Sequence, residues 1–140
     1  MRTRCVFAIT LLLAAPVAYP AHADRARDGI LAGLATASKD ADPSFAGFSA
    51  ERGRTLFFNK HGSGKPDIPA CTVCHTDNPR SMGETRAAKP IEPIALSMTP
   101  DRFTDAKKVA KWFRRNCKSV LGRECTPLEK GDFITFMAGQ

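Results

Sequence analysis

Residues 70–77 read ACTVCHTD, and Cys71, Cys74 and His75 within them spell C-x-x-C-H, the attachment signature of a c-type haem. Two thiols three residues apart on one helical turn both reach the vinyl groups of the ring. The imidazole of the following residue then lies beneath the iron. Two other chemistries use such a pair. A thioredoxin-like redox couple needs a surrounding βαβ pattern, whereas the flanks here are proline, glycine and polar residues. A four-sulfur zinc site would need Cys117 and Cys125 as its second half. Zinc ribbons usually repeat a tight two-residue gap at both ends, and the gap between Cys117 and Cys125 is seven residues. The motif therefore favours one haem c, covalent through Cys71 and Cys74, with His75 as an iron ligand.

The chain opens MRTRCVFAITLLLAAPVAYPAHA, with two arginines, an apolar stretch and a small-x-small end at Ala21-His22-Ala23. This pattern predicts a signal peptide over residues 1–23 and a bacterial periplasmic domain over 24–140. Pro16 and Pro20 interrupt the stretch before the roughly 20 apolar residues that a membrane span requires, so no membrane anchor is expected after processing. Cys5 leaves with the removed segment. The remaining 117 of the 140 residues suffice for one small domain. Loss of Arg2 and Arg4 lowers the basic count from 21 to 19 against 14 acids, a net charge of +5. Export separates the chain from nucleic acid, which leaves an acidic partner or an anionic prosthetic group to match that surplus. An oxidising compartment also joins thiols that are not otherwise engaged.

Helical signals surround the motif. Ile30, Leu31 and Leu34 predict a helix over 27–38, which Asp42-Pro43 ends. Ser49 as N-cap, followed by Glu51 and then Leu56, Phe57 and Phe58, predicts a second. Residues 59–69, NKHGSGKPDIP, read as a loop, with His61 as a solvated histidine. Pro79, Pro90, Pro93 and Pro100 exclude continuous helix after His75 and predict a loop along the haem edge. The stretch TDAKKVAKWFRRNC, 104–117, reads as a basic amphipathic helix capped by Thr104. Val109, Trp112, Phe113 and Asn116 share one face, and Lys107, Lys108, Lys111, Arg114, Arg115 and Lys118 the other. Finally TPLEKGDFITFM, 126–137, opens with Thr126 as N-cap, Pro127 at the first helical position and Glu129 in a capping box. Phe133, Phe136 and Met137 form its buried stripe. The expected fold is all-α, three to four helices around one haem, with the porphyrin adding apolar area to a modest core.

The group opposite His75 decides the function, because a strong second ligand gives electron transfer and a weak or absent one opens the iron to small molecules. Met82 is close to His75 in sequence and Met137 belongs to a core stripe. Met98, in LSMTPD, is the candidate for an ordinary His/Met electron carrier. Asn116 has two readings. Asparagine commonly ends helices, where it tolerates left-handed geometry. Alternatively, its place among Val109, Trp112 and Phe113 aims an amide inward, where it needs a polar partner or costs roughly 1–3 kcal/mol. Ferric iron is such a partner.

The order ERGRTLF, CTVCH, TPDRFTD, KWFRRNCKSVLGREC and TPLEKGD resembles the sphaeroides haem protein family, a branch of the class I cytochromes c, across nearly all of residues 24–140. In that family the asparagine directly before the first cysteine of the second pair is the distal ligand, a position held here by Asn116. The resemblance further implies a disulfide between Cys117 and Cys125, and loss of the Asn116 ligand on reduction to admit O2, NO or CO. A dihaem cytochrome c is the implied electron donor. The methionine at position 98 is not expected from the family. Beside these implications stand a haem-propionate bond from Trp112, a carbonyl bond from Pro93 to the free nitrogen of His75, and a partner-docking role for the lysine face.

Overall fold

The computed structural model describes residues 21–140. The predicted signal peptide, apart from its last three residues, lies outside the described residues. The elements are α1 (Ala21–Ala41), α2 (Ala50–Phe58), α3 (Thr72–His75), β1 (Gly83–Glu84), β2 (Pro90–Ile91), α4 (Ala106–Leu121) and α5 (Pro127–Ala138). Mostly helical architecture agrees with the expectation, with five helices among the described residues because the haem motif forms a short helix of its own. The proline-rich segment also holds a two-residue antiparallel ladder, Gly83 with Ile91 and Glu84 with Pro90. Helix α1 is longer than predicted; Asp24 in its first turn and Lys39 in its last both match the helix dipole. Among the described residues no helix is long and apolar enough to cross a membrane.

Helices α2 and α5 cross at the centre. Ser49 caps α2 as expected, its hydroxyl accepting from Arg52 N at 3.2 Å. Four residues on, a Cβ added at Gly53 would lie 2.0 Å from the Asp132 carbonyl oxygen, so the two helix backbones touch there and only glycine fits. Phe57, from the next turn, meets the rings of Phe133 and Phe136, each centroid 6.0 Å away. On α5 the capping box forms: Glu129 N donates to Thr126 Oγ1 at 3.1 Å, and Thr126 N to Glu129 Oε2 at 2.8 Å. The predicted stripe of Phe133, Phe136 and Met137 is buried. Asp132 is a buried acid whose carboxylate accepts from Ser49 N at 2.6 Å and from Arg52 Nε and Nη2 at 2.7 and 2.8 Å. One carboxylate thereby ties the start of α2 to the middle of α5.

Helix α4 corrects two readings of its sequence. Its N-cap is Asp105, which accepts from Lys108 N at 3.0 Å, while the Thr104 hydroxyl donates to the Asp101 carbonyl. The helix then continues past Asn116 and Cys117 to Leu121 and ends at Gly122, whose φ is 70°. Asn116 is therefore in the helix body, not at a terminus. Its core face consists of Phe113, Cys117, Val120 and Leu121. Each residue turns the helix by about 100°, which puts Asn116 and Trp112, both exposed, on the shoulder of that face with half-buried Val109. The amide does not point into the protein interior. Cys117 and Cys125 are joined in a disulfide that fastens α4 to the approach to α5.

The loop before the haem motif supplies the partners that the end of α4 lacks. Lys65 N donates to Ser119 O at 2.7 Å and the Ser63 hydroxyl to Leu121 O at 2.8 Å. A Cβ at Gly64 would stand 2.3 Å from both the Ser119 and Val120 carbonyl oxygens, so this loop lies flat on the helix end. Replacing Asp132 by alanine strands the Ser49 amide and the Arg52 guanidinium, at an expected cost of about 2–3 kcal/mol. Urea denaturation of the holoprotein checks this; an unchanged midpoint would mean that packing alone holds the crossing.

Candidate haem site

Cys71, Cys74 and His75 are brought together by a single helical turn. Cys71 stands at the N-cap of α3, and its carbonyl accepts from Cys74 N at 3.2 Å and His75 N at 3.1 Å. The two thiols thus project from one side of the turn. Thr76 stops the helix at once with φ 59°, a costly conformation for a threonine, and its hydroxyl bonds within the turn to Asn78. Behind the turn, a Cβ at Gly83 would fall 2.1 Å from the Cys74 carbonyl oxygen and 3.1 Å from His75 Cα. β1 is therefore pressed against the motif and leaves no room for a side chain. His61 is not a freely solvated loop residue: its Nε2 lies 3.0 Å from the Leu56 carbonyl, and its amide donates to Pro69 O at 2.6 Å. The first bond fastens the loop entering α3 to the end of α2, and the second closes that loop on itself.

Burial pushes the Cys71 thiol up to about 11 and raises Cys74 as well, against the opposing charge of Arg86, which is paired with Asp67. No βαβ unit surrounds the pair among the described residues, which removes the thioredoxin-like reading. The zinc reading fails on connectivity, because Cys117 and Cys125 are bonded to each other and have no thiolates to offer. Burial also lowers His75 to about 4, with the nearby Arg102 cation adding to the effect. At neutral pH the imidazole is uncharged and keeps a lone pair for a metal.

Val73, between the two thiols, and Met82, Met98 and Trp112 all present large apolar surfaces to the outside. Two free thiols one turn apart, a neutral imidazole beside them and the exposed Val73 side chain between them fit a covalently held haem. Trp112 is 49% exposed and lies under two cations, Lys111 Nζ at 5.4 Å and the Arg115 guanidinium at 5.2 Å from its ring centroid. Asn116 is one turn further along the same shoulder. Met98 is 55% exposed in a turn closed by its amide to Ala95 O, while Met137 is wholly buried in the core. The Pro93 carbonyl, expected to serve His75, is otherwise engaged: Thr99 Oγ1 donates to it at 2.8 Å and Arg102 Nε at 3.2 Å, which fills both lone pairs. Sequence reasoning missed Arg102, whose bonds to Pro93 O and Glu92 O hold the proline-rich loop and carry no local signal.

A family model described as a domain of unknown function (DUF1924) matches residues 43–137. The chain is 48% identical over 132 residues to cytochrome c-type protein SHP of Cereibacter sphaeroides, covering 93% of this chain and 97% of that one. It is 35% identical over 98 residues to cytochrome c'' of Methylophilus methylotrophus, covering 69% and 68% of the two chains. Among solved structures, oxidised SHP, described as an oxygen-binding cytochrome c, superposes with a TM-score of 0.74 at 46% identity over 81% of this chain and 96% of that one. Oxidised cytochrome c'' gives 0.71 at 29% identity over 83% and 95%. With the attachment turn, the disulfide and the helical frame all in place, the chain belongs to the sphaeroides haem protein family of class I cytochromes c, and its prosthetic group is covalently bound haem c.

Proposed function

We propose that residues 24–140 form an exported, periplasmic monohaem cytochrome with His75 and Asn116 as its ferric ligands. Asn116 is released on reduction, and the site then takes O2, NO or CO. Cys71 and Cys74 hold the ring and His75 is the proximal ligand. When bound, haem supplies a one-electron iron couple and a coordination position that a diatomic molecule can enter. The observation that carries this reading is the placement of Asn116. It lies in the body of a helix immediately before disulfide-bonded Cys117, exposed rather than in the protein core, and its amide makes no hydrogen bond among the described residues. An amide oxygen is a hard, weak donor that suits ferric iron better than the softer ferrous ion. The weak donor lets go when an electron arrives.

Two relatives support the reading. Oxidised SHP is described as an oxygen-binding cytochrome c, and the solution structure of cytochrome c'' addresses the basis of haem-ligand detachment. The Cys117–Cys125 bond closes a loop of eight-residue separation, worth about 2.5 kcal/mol in the chain-entropy estimate. It also stiffens the backbone behind Asn116 and limits how far the side chain retreats. The exposed face of Lys107, Lys108, Lys111, Arg114, Arg115 and Lys118 would steer an acidic electron donor of the dihaem cytochrome c type.

Asn116→Ala should convert the ferric absorption spectrum to that of an open site and leave ferrous CO binding intact, whereas Met98→Leu should change neither. A ferric spectrum that responds to Met98→Leu, together with a ferrous form that ignores CO, would instead make the protein a His/Met carrier. Selective reduction of the disulfide should alter the rate of ferrous CO binding; equal rates before and after would remove its part in ligand control. The triple reversal of Lys107, Lys108 and Lys111 to glutamate should slow reduction by a dihaem donor, with the deficit shrinking as salt rises. Salt-independent, wild-type rates would count against the docking face.

A further inference from the structure

The positive charge of this protein is gathered on one helix. Residues 24–140 carry 19 basic and 14 acidic side chains. Six of the basic ones, Lys107, Lys108, Lys111, Arg114, Arg115 and Lys118, lie on α4, whose sequence holds no acid. That leaves 13 bases against 14 acids elsewhere, so α4 supplies the whole positive surplus. All six side chains are exposed. Among the described residues, Lys108 alone of the six has a carboxylate partner, Asp105 at 4.0 Å. Amid these cations stands the one tryptophan of the chain. Each residue turns a helix by about 100°, which sets Lys108 and Arg115 within about 60° of Trp112 and places Cys117, on the core face, about 140° away from it. The indole is half exposed, with Lys111 Nζ 5.4 Å and the Arg115 guanidinium 5.2 Å from its ring centroid. A large apolar group is therefore held on the charged side of the helix, where core packing gives no reason for it.

We propose that Trp112 is the anchor of the surface on which an acidic redox protein docks. The inference deepens the docking face proposed above and rests on it. Exposed charges steer two proteins together and set the association rate, but each exposed pair adds little to the lifetime of the complex. Lifetime comes from a few aromatic and arginine side chains that lose their water at the centre of the contact, ringed by groups that keep solvent out. Trp112 and Arg115 have the composition of such a centre, and the surrounding lysines that of a polar rim. Lys111 and Arg115 lie over the ring and restrict its swing, so less side-chain freedom is lost on docking. The occupant has to be acidic to match the helix, and has to offer apolar surface inside its fringe of carboxylates to receive the indole. An electron donor whose prosthetic group reaches its surface through an apolar opening bordered by acids offers both.

The experiment separates the anchor from the charged face. Wild-type holoprotein, Trp112→Ala, Trp112→Phe and the triple variant Lys107→Glu, Lys108→Glu, Lys111→Glu are passed over an immobilised acidic dihaem cytochrome c at low and high salt. Surface plasmon resonance reads association and dissociation separately. Trp112→Ala should dissociate about tenfold faster or more with its association rate nearly unchanged, and Trp112→Phe should fall between it and wild type. The triple variant should instead associate slowly. Equal dissociation of Trp112→Ala and wild type, beside salt-dependent association, would sink the anchor and leave the basic face standing. A wild type that does not bind the cytochrome, or binds it regardless of salt, removes both. Should Trp112→Ala fail to fold, Trp112→Gln is read in its place with the same expected rates. The ferric spectrum and midpoint potential of Trp112→Ala should match wild type; a shifted potential would put the indole on the haem and overturn the inference. Faster release of Trp112→Ala from phosphatidylglycerol vesicles, with release from the cytochrome unaltered, would make this a surface for lipid and overturn it as well.

Discussion

The contact on which the remaining structure depends is backbone against backbone, Gly53 of α2 on the Asp132 carbonyl of α5. Close approach without a side chain lets Phe57, Phe133 and Phe136 interlock around it, and the Asp132 carboxylate fixes the angle through Ser49 and Arg52. What hangs from this crossing is the site. The far end of α2 offers the Leu56 carbonyl, toward which His61 Nε2 and the Cys71 thiol both turn. The far end of α5 offers the Met137 carbonyl to Leu96 N, which anchors the loop that carries Met98. The beginning of α5 is tied through Cys125 to Cys117. Two helices in one fixed relation therefore place the attachment turn, the proline-rich loop and α4 together.

Features encoded in neighbouring residues were legible in the sequence. The capping box of Thr126 and Glu129, the Ser49 cap and the core stripe of α5 all formed where the pattern put them, because each depends on residues three or four apart. The attachment motif is local in the same sense. Asn116 misled because an amphipathic helix has shoulders: the i, i+3, i+4, i+7 pattern from Val109 spans an arc wide enough to include Trp112 and Asn116, and only packing decides which part of that arc meets the core. Asp105 displaced Thr104 as the cap because either residue can occupy that position, and the hydroxyl found Asp101 O instead. Arg27, Arg102 and the Gly83–Ile91 ladder depend on partners far along the chain, which no window of sequence contains.

The two cysteine pairs show how one residue type takes two fates in one small domain. Cys117 and Cys125 face each other across the junction of α4 and α5, both buried, and bond. Cys71 and Cys74 are held on the same side of a single turn and are not joined to each other, which leaves both for the haem. The helix that carries Cys117 also holds the loop preceding Cys71, which is stitched to Ser119 and Leu121 at its end.

Helix α4 divides into three strips with separate tasks. Phe113, Cys117, Val120 and Leu121 anchor it in the core; Trp112 and Asn116 stand on its shoulder; the lysines and arginines cover the outside. Lys111 and Arg115 connect the last two strips by lying over the Trp112 ring, an arrangement that stabilises the indole by about 0.5–1 kcal/mol for each cation at an exposed site. The core strip and the disulfide make this helix a rigid body. On the proposed reading, a donor that docks on the basic face and the amide that opposes His75 are therefore carried by one rod. On that reading, electron arrival and ligand release would need no relay of moving parts, because the weakness of an amide oxygen toward ferrous iron would itself be the switch.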